Sequence, residues 1–320
     1  NLYSFILQPG MKATVYKSTG SWYIIKDEAG KFWNARMKGV MKLEGITSTN
    51  PVAVGDIVEM ESQADTDNSA IIDEIHPRHN YINRQSPRHK HQHHIVAANL
   101  DQSLLVATLK EPRTSQGFID RFLVASEMYH VPAIIVFNKS DLYKSKELEK
   151  YDQWKEMYEL VGYTVLLVSA EKKEGINELK EVLKNKTTLI SGHSGVGKSS
   201  LLNVIFPEMS LKTGEISGWS GKGQHTTTFA EMYDLPVPGG GRIIDTPGMR
   251  EFGLVDIEKQ ELSHYFPEMR ERLNNCQFNN CLHYNEPGCA VKEAVNNREI
   301  HEDRYVSYLG ILDSIEEKQY

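Results

Sequence analysis

The stretch TTLISGHSGVGKSSLLNVIF leaves few folds open, because a β-branched apolar run passes through a glycine-rich turn straight into an amphipathic run, so a strand must hand over to a helix at residues 192–199. Gly192-His193-Ser194-Gly195-Val196-Gly197-Lys198-Ser199 matches the phosphate-loop spacing G-x4-G-K-S in full. Such a turn points backbone N–H groups at phosphate oxygens, and the helix N-terminus adds positive potential. The lysine bridges β- and γ-phosphates, and the serine hydroxyl ligates Mg²⁺. The expected nucleotide contacts here are Gly192, Ser194, Gly195, Val196, Gly197, Lys198, Ser199 and Ser200.

Upstream, apolar strands alternate with amphipathic helices. SLLVAT (103–108), AIIVFN (133–138) and TVLLVS (164–169) read as strands. GFIDRFLVASEMYH, KELEKYDQWKEMYELVG and GINELKEVLK read as the helices between them, the pattern of a parallel sheet covered on both faces. Asn138-Lys139-Ser140-Asp141 follows one strand end and Ser169-Ala170 the next. The Asp141 carboxylate can accept from both N1–H and the 2-amino group of guanine, a donor pair that adenine lacks, and Ala170 is suited to backbone contact with guanine O6. Asn138, Lys139, Asp141, Ser169 and Ala170 are therefore expected to hold the base. Asp245-Thr246-Pro247-Gly248 follows the short run GRII, placing Asp245 to hold Mg²⁺ through water and the Gly248 amide near the γ-phosphate. Between these motifs lies Gly221-Lys222-Gly223-Gln224-His225-Thr226-Thr227-Thr228, read either as a loop ordered by triphosphate and Mg²⁺ or as an ordinary strand start.

The order of the motifs is rotated. A conventional GTPase runs phosphate loop, switch threonine, DxxG, NKxD and then the serine-alanine motif, whereas here NKSD and SA come first. Circular permutation accounts for this, since the same sheet forms when old termini are joined and new ones opened at the surface.

Residues 11–77 read as short strands between Gly, Pro, Asn and Asp turns, the length of a five-stranded oligonucleotide-binding (OB-fold) β-barrel. Trp22, Tyr23, Phe32 and Trp33 either offer stacking faces to RNA or fill core and surface. Residues 78–94 are basic, with Arg78, Arg84, Arg88 and Lys90 among histidines and no acid, and are expected to be a linker or a phosphate-facing arm. The net charge of −7 rules out a chain that is basic all over. Residues 1–10 lack the pattern of a cleavable signal and read as a scar outside the fold. Cys276, Cys281, His283 and Cys289, spaced C-x4-C-x-H-x5-C, form a ligand set for one structural zinc in a helical segment, 256–320. Three cysteines confined to that cluster argue against a disulfide scaffold and for a reducing, cytoplasmic compartment.

Taken together, the leading barrel, NKSD, SA, GHSGVGKS, GQHTTT, DTPG and the cysteine-histidine site resemble the bacterial ribosome small-subunit-dependent GTPase family known as RsgA or YjeQ, over residues 11–320. The resemblance implies an OB barrel, a circularly permuted P-loop α/β GTPase domain (95–255) and a zinc-bearing helical domain. It also implies GTP hydrolysis stimulated by the 30S subunit late in its maturation, with 16S rRNA as contact, no membrane, and a monomer as the default. Met249 follows DTPG where many GTPases carry the water-orienting glutamine. The resemblance assigns that role to His225, whose other reading is a surface histidine, and makes Thr227 the Mg²⁺ ligand ahead of Thr226 or Thr228. Gly195 stands where some relatives carry a potassium-binding Asn, so potassium dependence is not expected. A second function remains open, an RNA-binding assembly factor in which GTP serves mainly as a structural switch. An ATP-dependent kinase is disfavoured by Asp141.

Overall fold

The structure, a computed structural model, describes residues 10–38, 51–63, 68–85, 93–207, 230–246 and 257–315. Alternating burial along the first strands closes a barrel. β1 (Met11–Ser18), β2 (Tyr23–Asp27), β3 (Phe32–Met37), β4 (Ile57–Ser62) and β5 (Ser69–Ile75) pair in the order β1-β2-β3-β5-β4, and β4 returns to β1. Only β3 and β5 run parallel within it. Val15, Ile25, Ala35, Val58, Met60 and Ile72 point inward as its core. Closure removes the sheet edges that would otherwise invite foreign strands.

The basic stretch at 78–94 is structured at both ends. β6 (Tyr81–Gln85) and β7 (His93–Ala98) form an antiparallel hairpin, and Ala97 bridges to Val54 at the barrel's end. Nor is Arg78 a free phosphate-binding cation. Its guanidinium makes a two-pronged pair with the fully buried Asp56, at 2.6 Å to each oxygen, and donates to Pro51 O at 2.6 Å. Arg88 and Lys90 lie outside the described residues.

The second layer system carries the motifs. β8 (Gln102–Ala107), α1 (Gln116–Met128), β9 (Ala133–Phe137), α2 (Ser145–Leu160), β10 (Thr164–Leu167), α3 (Ile176–Leu183), β11 (Thr187–Ser191) and α4 (Lys198–Ile205) alternate as the sequence pattern predicts. β12 (Glu231–Asp234) and β13 (Arg242–Asp245) complete a sheet ordered β10-β9-β8-β11-β13-β12, parallel except at β12. Its central strands β8 and β9 are buried along their whole length, as a strand between two helical layers must be. At its far edge β12 also pairs antiparallel with barrel strand β1, Lys17 opposite Glu231, so barrel and nucleotide sheet are continuous.

The C-terminal segment contains α5 (Pro267–Arg270), α6 (Ala290–Asn296) and α7 (Glu302–Ser314), with short 3₁₀ turns between. It packs on α1: Val124 joins Ile257, Leu262, Phe266 and Tyr308 in one apolar cluster. The joint also contains a charge network. Arg304 of α7, 1% exposed, donates to the fully buried Asp120 of α1 at 2.5 Å and to both Glu268 oxygens at 2.7 and 3.2 Å. Tyr158 of α2 donates to the same Asp120 oxygen at 3.0 Å. Burial pushes the Asp120 carboxyl up, and the guanidinium opposes that rise.

Removing one partner of such a pair strands the other charge in an apolar interior. Arg304→Met is expected to cost about 3–5 kcal/mol, read from the urea midpoint. The double variant Asp120→Asn/Arg304→Met should recover part of that loss, and a double variant no more stable than Arg304→Met would contradict the assignment.

Candidate nucleotide site and metal centre

The phosphate loop is shaped by two glycines. Gly192 and Gly197 have φ of +145° and +90°, and each also touches a neighbouring strand's end. A Cβ at Gly192 would lie 2.3 Å from Val106 O, and one at Gly197 would lie 2.5 Å from Asn138 Nδ2. Val196 is buried and pins the loop, while Ser194 and Gly195 face solvent. Lys198 opens α4 and folds across the turn, donating to Gly192 O and, at 2.9 Å, to His193 O. Ser199 and Ser200 follow in the first helical turn, half-buried. Asp245 ends β13 in register with Ile190 of β11, which puts its carboxyl beside the same turn. Burial pushes its pKa up to about 6 against the pull of Lys198, whose own pKa burial lowers.

The base-side motifs meet this loop through Asn138. Its side chain is 1% exposed; Nδ2 donates to Val196 O at 2.9 Å, and Oδ1 accepts from Ala170 N at 3.1 Å. Phosphate loop, NKSD and SA are thus tied by a single amide. Lys139 adopts the left-handed conformation (φ +65°) that turns the chain into a 3₁₀ turn at Ser140–Leu142. The buried Ser169 donates to Asp141 Oδ1 at 2.5 Å and accepts from Lys172 N at 3.0 Å, which orients a carboxylate that is itself solvent-exposed. Gly248, His225, Thr227 and the neighbouring Thr226, Thr228 and Met249 lie outside the described residues.

One part of the site escapes the motif reading. Residues 108–114, between β8 and α1, pass beside the phosphate loop, with Pro112 Cδ 3.5 Å from where a Cβ on Gly195 would lie. Two threonines close this strap: Thr114 N donates to Thr108 O at 2.8 Å, and Thr108 N to Thr114 Oγ1 at 3.0 Å. The sequence signal was a proline flanked by two threonines after a strand, a pattern without a phosphate-loop spacing to flag it. Phe118 of α1 stacks on the His193 ring with centroids 3.5 Å apart.

In the C-terminal segment Cys276, Cys281, His283 and Cys289 converge, with all four ligand atoms within 4.8 Å of one another. His283 Nδ1 is 3.6 Å from Cys276 Sγ and 3.3 Å from Cys289 Sγ. Zinc with sulfur at about 2.3 Å and nitrogen at about 2.0 Å needs tetrahedral edges of roughly 3.5–3.8 Å, so the donor set fits a four-coordinate metal such as zinc. Burial pushes the Cys281 thiol up to about 12, a value that a bound cation reverses. Tyr305 and Tyr308 of α7 donate to His283 O and Leu282 O at 2.6 and 2.7 Å, bracing the ligand loop from behind.

A closed five-stranded barrel, a P-loop sheet with its guanine motifs ahead of the phosphate loop, and a Cys₃His cluster define a circularly permuted GTPase. The RsgA GTPase family profile matches residues 75–255, and that of the RsgA N-terminal domain residues 12–72. A small ribosomal subunit biogenesis GTPase RsgA of Bacteroides fragilis is 49% identical over 97% of this chain and 99% of its own. One from Cytophaga hutchinsonii is 52% identical over 94% and 98%. The crystal structure of YjeQ from Thermotoga maritima superposes with a TM-score of 0.77 at 35% identity, covering 95% of this chain and 98% of that one. YloQ, described as a circularly permuted GTPase, gives 0.74 at 30% identity over the whole of both chains. The chain belongs to the RsgA GTPase family, and it is a GTP hydrolase. Among the described residues, no helix is long and apolar enough to cross a membrane.

Asp245 makes the nucleotide-free protein pH-sensitive. The folded chain keeps this proton up to about pH 6, whereas the unfolded chain releases it near 3.8. The folded state therefore binds more protons between those values, and stability falls as pH rises through the window. Asp245→Asn should remove that slope and stabilise the Mg²⁺-free protein at pH 7 by about 2–3 kcal/mol. Parent and variant curves running parallel from pH 4 to 7 would count against it. For the metal centre, elemental analysis should find one metal ion per chain. A strong chelator, or Cys289→Ser, should release the ion and lower the melting midpoint by about 5 °C or more.

Proposed function

We propose that this protein acts in biogenesis of the small ribosomal subunit, binding the 30S particle and its 16S rRNA and hydrolysing GTP in response. The Asn138 amide carries the GTP part of this reading, since it ties the phosphate loop, NKSD and SA together, and the small-subunit part rests on the names of the relatives. Lys198 and the backbone of Gly192–Gly197 take the phosphates, with Ser200 beside them. Asp141 accepts from guanine, with Ser169 orienting the carboxylate and the Ser169–Ala170 backbone beside the base. Ser199 directly and Asp245 through water would hold Mg²⁺, which when bound would offset the charge on the β- and γ-phosphates. The resemblance adds Thr227 to the metal, the Gly248 amide to the γ-phosphate and His225 to the attacking water. The Cys₃His centre holds one structural zinc, and the protein works as a cytoplasmic monomer.

The barrel supports an RNA partner. Trp22 and Phe32 are 45% and 47% exposed. Arg36 stacks over Trp22 at 3.6 Å and shares the outer side of β3 with Phe32, a face of a cation and rings suited to bases and phosphates, whereas Trp33 packs against the barrel core. Tyr23 is buried and has no part in it. This face and Met249 also favour the second reading, an RNA-binding assembly factor for which GTP is mainly a structural switch.

Turnover of GTP and ATP with and without purified 30S subunits separates the two. Stimulation of GTP turnover of about tenfold or more, with stimulated turnover about 100-fold lower in Lys198→Ala, supports the regulated hydrolase. GTP-dependent 30S binding without faster turnover supports the switch. Preference for ATP, or full stimulated turnover in His225→Ala, would overturn the guanine and water-positioning assignments respectively.

A further inference from the structure

Behind the guanine-recognition turn lies a tyrosine that none of the nucleotide motifs contains. Tyr143 is 8% exposed, and its hydroxyl uses both of its hydrogen-bonding capacities on backbone groups of two separate segments. It donates to Asn138 O at 2.8 Å and accepts from Leu109 N at 2.9 Å. Asn138 and Leu109 are themselves 1% and 5% exposed, so water is a poor substitute partner for either group. The Asn138 carbonyl immediately precedes Lys139, whose left-handed φ sets the direction of the turn bearing Asp141. Leu109 belongs to the strap whose Pro112 lies beside the phosphate loop, 3.5 Å from where a Cβ on Gly195 would sit. Two further ties join the same segments, Lys139 Nζ to Glu111 O at 2.5 Å and Lys110 Nζ to Leu142 O at 3.3 Å. Both are made by lysines near the surface, where such contacts exchange with water. The tyrosine hydroxyl is the buried tie.

We propose that Tyr143 is a positioning residue for guanine selection, holding the Asn138–Asp141 turn against the strap and, through Pro112, in register with the phosphate loop. This rests on the reading of Asp141 as the guanine acceptor. A carboxylate selects guanine only while it reaches N1–H and the 2-amino group together, and a displacement of well under an ångström weakens the second bond first. Phosphate contacts come from a different loop and are less affected. Phenylalanine keeps the ring in its packing but leaves Leu109 N–H and Asn138 C=O without their shared partner.

The test compares affinities of the full-length chain for GDP, IDP and ADP with Mg²⁺, because IDP lacks only the 2-amino group. The parent should prefer GDP to IDP, and both strongly to ADP. In Tyr143→Phe the GDP-to-IDP ratio should fall about 5–10-fold, the scale of one or two impaired hydrogen bonds. KM for GTP should rise while kcat stays within about twofold. Thr114→Val opens the strap without touching Tyr143 and should shift the ratio in the same direction, which guards against a folding defect peculiar to the first variant. Equal weakening of GDP and IDP in both variants, or no weakening, would overturn the positioning role. A parent without preference for GDP over IDP and ADP would instead overturn the guanine reading beneath it.

Discussion

The side-chain amide of Asn138 is the joint on which the nucleotide site depends. It leaves the end of β9, a central strand, and offers one donor and one acceptor to backbone groups of two other loops, Val196 O and Ala170 N. An aspartate there would lack the donor, and a leucine would lack both. Because the amide is buried, losing either bond leaves a polar group stranded in a dry interior, a cost of about 1–3 kcal/mol. The three motifs come from strand ends far apart in sequence, yet they are held at fixed separation by a single planar group. Gly197 makes this possible, since any Cβ would collide with the amide nitrogen.

Rotation of the motif order alters what the site is wired to and leaves its geometry intact. In the sheet, β11 and its phosphate loop lie between β8 and β13, with β12 at the edge. That edge strand is not exposed to foreign pairing, because barrel strand β1 joins it. The joint is reinforced by Tyr16 donating to Asp234 at 2.6 Å, Lys26 to the other Asp234 oxygen at 2.6 Å, and Lys17 to Glu231 at 3.1 Å. Partly exposed ion pairs add little individually, so the strand pairing and the half-buried Tyr16 bond matter most. A displacement of β12 is therefore felt by the barrel without any intervening linker.

The legible parts of this molecule were those whose chemistry forces a local spacing. Phosphate loop, NKSD, SA and the Cys₃His set each rest on a short pattern, and the alternation of apolar runs gave the parallel sheet, its helices and the barrel. What sequence could not give depended on pairing across distance. Arg78 reads as a free cation in a basic run, but Asp56, immediately before the neighbouring strand β4, claims it. The Asp120–Arg304 pair spans 184 positions, and its one local clue is an acid within the apolar run GFIDRFLVAS. Tyr143 was invisible for a different reason: a tyrosine that bonds only to backbone leaves no pattern of partner side chains. Tyr23 showed the limit of composition, since alternation along β2 turns it into the barrel while Trp22 remains outside.

Helix α1 links these separate observations. Its N-terminal end carries Phe118, stacked on His193 of the phosphate loop, and follows directly from the strap. Its middle supplies Ile119, Phe122 and Leu123 to the core of the sheet. On another side, Asp120 and Val124 belong to the C-terminal segment's charge network and apolar cluster. Apolar contact alone would let that segment slide on the helix, but a guanidinium held by three oxygens on two helices fixes distance and direction together. The same α7 that bears Arg304 braces the metal-ligand loop through Tyr305 and Tyr308. A continuous path of packed and hydrogen-bonded groups thus runs from phosphate loop to Cys₃His centre through one helix.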